Sequence, residues 1–115
     1  MFTLVWTDAA AAEYARLRSL AVAATERRSG KRRAKASRDE GLFKQVHKCV
    51  SLLADNPRHP GLRTHEYRSL EHPFDPREKV FEAYAQNRTP GAYRVFWCYG
   101  PAGGQITVIA ITPHP

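Results

Sequence analysis

The chain is short of cysteine: of 115 residues only two are Cys, Cys49 and Cys98. Two thiols this far apart make neither a disulfide framework nor a C-x-x-C motif. Each lies in an apolar periodic segment, which predicts two buried free thiols in a reducing cytoplasm. Long apolar runs are also missing. No stretch approaches the ~18 apolar residues of a membrane span, so no membrane partner is expected. The apolar segment Phe2 to Trp6, ahead of the small residues Ala9–Ala12, is too short for a secretion signal and has no basic residue before it. The five histidines include no HxxxH or HxxH pair, so no metal site is predicted. Gly103-Gly104 lacks the Lys-Ser/Thr of a phosphate-binding loop. No cofactor is implied.

Acid is absent from one segment. Residues 27–38 (RRSGKRRAKASR) hold seven cations and no carboxylate, within a chain of 18 Lys+Arg, 11 Asp+Glu and formal charge +7. The other 103 residues are therefore neutral, with eleven charges of each sign. This excludes a uniformly basic, histone-like chain and predicts one neutral domain, 1–115, with a basic connector at 27–38. Arg27, Arg28, Lys31, Arg32, Arg33 and Lys35 repel one another, so the connector is expected to be mobile or only partly helical. It would attract RNA phosphate in a salt-sensitive way; a solubilising loop is the alternative.

What is present reads as a strand, two helices and a run of strands. Apolar alternation from Phe2 to Trp6 predicts a strand. Thr7 or Asp8 can cap a helix whose stripe is Tyr14, Leu17, Ala21 and Ala24. Ser37 and Glu40 form a capping box for a second helix lined by Leu42, Val46, Cys49, Val50 and Leu53, which Asn56-Pro57 ends. Proline then punctuates the chain, and residues 64–70, 79–85, 93–99 and 105–112 read as strands, the third densest in aromatic and β-branched types. Short turns between the last three imply antiparallel neighbours. The fold class is α+β: an N-terminal strand and an αα-hairpin packed on one face of an antiparallel sheet.

This order, with Trp6 to Tyr14 (WTDAAAAEY), Leu52 to Pro57 (LLADNP), Phe81-Glu82-Ala83 and Gly91-Ala-Tyr-Arg-Val-Phe-Trp97, resembles the RelE/ParE superfamily of toxins from toxin–antitoxin pairs. The last segment is similar to the family's G-Y-R-hydrophobic-hydrophobic-Tyr strand. Leu62-Arg-Thr-His65 is similar to the L-K-x-H element of YafQ-type toxins. The resemblance implies metal-independent cleavage of mRNA, usually on the ribosome, by attack of a ribose 2′-OH on the adjacent phosphate. It also implies a cognate antitoxin as partner.

Such a reaction needs a base, a cation for the phosphorane and an acid for the leaving oxygen. Arg94 matches the strand arginine and is the candidate phosphate holder; a salt bridge to Glu82 is its structural alternative. His114, between Pro113 and Pro115, matches the terminal catalytic position and is the candidate acid; a frayed tail is the alternative. His65 is the candidate base, and Glu82 stands as the other. The family's basic residues are missing at the strand positions held here by Glu82 and Tyr84. Arg63, Arg68 and Lys79 are candidate phosphate contacts or ordinary solvated charges. Tyr93, Trp97 and Tyr99 could stack on bases, although Trp97 reads better as sheet core. Two rival functions remain: gyrase inhibition of the ParE kind, and a non-catalytic RNA-binding or interaction module.

Overall fold

The computed structural model describes residues 1–29 and 37–114. Strand β1 (Thr3–Trp6) leads into helix α1 (Asp8–Arg28). Thr7 makes that junction: its hydroxyl accepts from the Ala10 N–H at 3.1 Å and donates to the Ile109 carbonyl at 2.6 Å. One side chain thus caps the helix and ties its start to the sheet. Helix α2 (Arg38–Asp55) opens with the Ser37/Glu40 capping box, both halves formed, and ends at Asn56. Ala10, Leu17, Ala21 and Ala24 of α1 are buried, as are Val46, Cys49, Val50 and Leu53 of α2.

A 3-10 turn (Pro60–Leu62) follows, then β2 (His65–Glu66), β3 (Phe81–Tyr84), β4 (Tyr93–Tyr99) and β5 (Gln105–Pro113). The sheet order is β1-β5-β4-β3-β2. β2, β3, β4 and β5 run antiparallel, whereas β1 pairs with β5 in parallel. The sheet is therefore mixed. A parallel neighbour needs a long crossover, and the helices and the other strands supply it. At the β4–β5 turn, Gly100 and Gly104 take φ of 106° and 75°, a region that glycine enters without steric cost.

The strand expected over 64–70 shrinks to two residues. Arg63 sits in left-handed backbone at φ 49°, and beyond Glu66 only the Tyr67 N–H still reaches β3's approach, at the Val80 carbonyl. The connector is also narrower than 27–38. No helix breaker precedes Ser29, so Arg27 and Arg28 complete the last turn of α1, and Arg38 begins α2. Arg28 forms an ion pair with Glu40 at 2.6 Å, which joins the two helices. Lys31, Arg32, Arg33 and Lys35 lie outside the described residues.

The helices cover the sheet face built from Ala83, Val95, Trp97, Ile106, Val108 and Ile111. Residue alternation sends Glu82, Tyr84, Arg94 and Phe96 to the other face. Tyr67 partly roofs that face, its ring 4.7 Å from Phe96. Both cysteines are buried and free, and burial pushes their thiols up to about 12 for Cys49 and about 11 for Cys98. No described helix is long and apolar enough to cross a membrane.

Candidate active site

Three residues singled out from sequence meet on the face turned away from the helices. Glu82 projects from β3 and is 1% exposed. β2 pairs His65 directly opposite it, and His65 Nε2 lies 2.8 Å from Glu82 Oε1. That contact has ion-pair distance but poor hydrogen-bond alignment, so Oε1 is left without a well-directed donor. His114 arrives from the far side of β4. Pro113 pairs with Tyr93, and the His114 N–H donates to the Ala92 carbonyl at 2.7 Å. This anchorage carries its Nδ1 to 3.2 Å from Glu82 Oε2. The residue is therefore fixed rather than frayed.

Burying a carboxylate is costly unless cationic or donor groups meet it. Here both oxygens face imidazole nitrogens, and both histidine side chains remain 48% exposed. The second His65 nitrogen, Nδ1, lies 3.3 Å from the Arg63 carbonyl. Both nitrogens of that ring therefore face acceptors.

Arg94 does not bridge to Glu82. It is 8% exposed, its Cζ lies 3.8 Å over the Tyr84 ring, and its Nη1 donates to the Gln86 carbonyl at 2.6 Å. Cation–π contact and a charge-assisted hydrogen bond thus fix the plane of the guanidinium. Among the described residues no partner takes up Nη2, which leaves that edge for an anion. Tyr84 joins the two halves of the site, since its ring also meets His65 edge-on at 5.7 Å. Sequence reading treated Tyr84 only as a departure from a basic pattern. The available signal was its i+2 spacing from Glu82, which puts both on one sheet face.

The remaining candidates are dispersed. Arg68 is exposed and approaches Glu66 at 3.6 Å. Lys79 is exposed, in the loop before β3. Arg63 is exposed, and its carbonyl faces the His65 ring. Trp97 is 1% exposed and belongs to the core, Tyr99 is 41% exposed, and Tyr93 is tied to Glu13 of α1 at 3.1 Å. Among the described residues no cluster of three metal-ligating side chains occurs. None of His65, Glu82, Arg94 and His114 lines any of five cavities of 440 to 660 Å³ among the described residues, and the two histidines stand half-exposed on the sheet face.

No family model and no curated protein sequence matches the chain. Among solved structures, a YoeB/ParE toxin from Agrobacterium tumefaciens has a similar fold. The match covers 98% of this chain and 99% of that one, with a TM-score of 0.59 and 12% sequence identity. The fold is RelE/ParE-like.

Proposed function

We propose that this RelE/ParE-like scaffold is the toxin of a toxin–antitoxin pair, a metal-independent endoribonuclease that cleaves mRNA in the cytoplasm, on the ribosome. The observation that carries the proposal is the convergence of His65, Glu82 and His114 on one spot of an open sheet face, from three separate segments. Arg94 is held rigidly on the same face. A polymer can lie across such a face, where a small metabolite would need a cavity.

In this mechanism His65 keeps Nε2–H toward Glu82 and takes the proton of the ribose 2′-OH on Nδ1, which leaves its long 3.3 Å contact with the Arg63 carbonyl as substrate binds, and that oxygen attacks the adjacent phosphorus. Arg94 Nη2 stabilises the charge that builds on the non-bridging oxygens. His114 gives a proton to the departing 5′-oxygen. The products are a 2′,3′-cyclic phosphate and a 5′-hydroxyl. Glu82 is too buried to meet substrate. It acts as a positioning residue, orienting both rings as the buried carboxylate of a catalytic triad orients its histidine. The burial weighs against Glu82 itself as the base.

The partners of this reading are mRNA, the ribosome and a small antitoxin. An adjacent reading frame with a helix-turn-helix pattern would support the last. The test is induced expression followed by mapping of mRNA ends. New 5′ ends within translated messages with the wild-type chain, absent with His114→Ala, support the proposal. Intact mRNA together with a DNA-damage response would favour the gyrase reading instead.

A further inference from the structure

The side of the sheet that faces the helices carries a second feature with its own chemistry. Between the Pro60–Leu62 turn and the aromatic side chains of β3 and β4 lies a cavity of about 450 Å³. Arg58, His59 and Arg63 line it together with Phe81, Trp97 and Tyr99. No carboxylate lines it, whereas four other cavities among the described residues each have at least one. Among the described residues neither Arg58 nor Arg63 pairs with an acid. His59 Nδ1 is occupied by the Gly61 N–H at 2.9 Å, so the neutral ring offers only its Nε2–H, a donor. The polar lining therefore presents donors and positive charge, which suits an anion.

Two details mark this lining as built. Arg63 is held at φ 49°, a left-handed conformation uncommon for a residue other than glycine, asparagine or aspartate. The exposed Tyr99 ring, which lines the same cavity, is braced by three aromatic neighbours, Phe2 at 5.9 Å, Phe81 at 6.0 Å and Trp97 at 5.0 Å. A rigid, exposed aromatic and two cations lining one cavity is a combination that suits a base and its phosphate from a single strand. Arg63 also connects this cavity to the candidate active site, because its carbonyl faces His65.

We propose that this cavity is a second nucleotide subsite for single-stranded RNA, in which a base stacks on Tyr99 while Arg58 and Arg63 hold its phosphate. It takes a nucleotide of the strand whose neighbouring segment lies over His65, Glu82 and His114, and in that respect it rests on the ribonuclease reading. Binding is measurable without cleavage. A fluorescein-labelled, 2′-O-methylated RNA hexamer has no nucleophilic hydroxyl, so the full wild-type chain cannot cut it. Arg58→Gln/Arg63→Gln should raise its Kd about tenfold at low salt and reduce the salt slope by roughly 0.7, the share of the one phosphate they hold. Tyr99→Leu should raise Kd by a similar factor of about ten. The charge-matched control Arg18→Gln/Lys44→Gln removes two exposed cations from the helices and should change Kd less than about twofold. Equal weakening by the control, an unchanged Kd in Tyr99→Leu, or no binding by the wild-type chain would each overturn the subsite. Binding with this pattern in a chain that cuts no RNA would instead retain the subsite and remove the ribonuclease reading.

Discussion

Replacing Glu82 with Gln should make the molecule much less active without making it less stable. The carboxylate is 1% exposed and lies between two half-exposed imidazoles. The two imidazole nitrogens that face it at 2.8 and 3.2 Å would contribute about 1.5–3 kcal/mol each as N–H donors to a charged acceptor. Removing the carboxylate from water costs several kcal/mol, and leaving Oε1 without an aligned donor adds about 1–3 kcal/mol. These contributions nearly cancel. Glutamine fills the same space with no charge, so Glu82→Gln should change unfolding free energy by no more than about 1 kcal/mol, and any larger effect should be stabilising. His114→Ala behaves differently, because it keeps the buried charge and removes a partner. It should cost about 1–3 kcal/mol. Both variants should lose about 100-fold or more in cleavage rate, the usual scale for general acid–base groups. Urea unfolding at neutral pH, read from tryptophan fluorescence and paired with a single-turnover cleavage assay, separates the two. Destabilisation of Glu82→Gln by more than about 2 kcal/mol would refute the reasoning, since the carboxylate would then be a net structural support.

Other expectations follow from the same geometry. Arg94→Lys should not rescue activity, because an ammonium cannot lie flat on Tyr84 and hold the Gln86 carbonyl while offering a second edge; kcat should fall about 100-fold with KM less affected. Acid stability should depend on the helix hairpin. The hydrogen bond from Arg28 is the main cause holding the Glu40 carboxyl down to about 2. For a depressed carboxyl the stabilisation is complete above its unfolded value near ~4.3 and is lost as pH falls through the folded one. Arg28→Ala should therefore flatten the loss of stability across that window, seen as urea midpoints that converge with wild type at the acid end; parallel curves would contradict the pairing. Both thiols are held far into the alkaline range by burial, so iodoacetamide should label neither in the native chain at mildly alkaline pH and both after unfolding. Native labelling of Cys49 would place it outside the core.

The helix ends were legible in the sequence because caps are local: Ser37 and Glu40 find each other within one turn. β4 was legible because seven consecutive residues share strand chemistry. The sheet's hand of pairing at β1 was not, since Thr3–Trp6 meets Gln105 to Val108 across almost the whole chain. The site divides in the same way. His65, Arg94 and His114 became candidates by their likeness to family positions, and Glu82 as an alternative base. That the two histidines share one buried carboxylate depends on register. The His65–Glu82 pairing follows a loop whose course no local pattern fixes, and it is held partly by His72, whose Nδ1 accepts from the N–H groups of Phe74 and Asp75. The structural alternative for Arg94, a bridge to Glu82, is not formed, because register sets Arg94 opposite Tyr84. The basic run was visible as charge, but charge alone does not stop a helix. Arg27 and Arg28 therefore continue α1, and Arg28 spends its charge on Glu40.

The ribonuclease reading is tested most directly by incubating purified wild-type chain and His114→Ala with ribosomes translating a defined mRNA, in the presence of a chelator of free divalent metal after complex formation. Product ends are then identified by primer extension and phosphatase sensitivity. The account predicts cleavage by the wild-type chain that leaves a 2′,3′-cyclic phosphate and a 5′-hydroxyl, slowed about 100-fold or more in His114→Ala. Uncut message with the wild-type chain, or equal cleavage by both proteins, would contradict it.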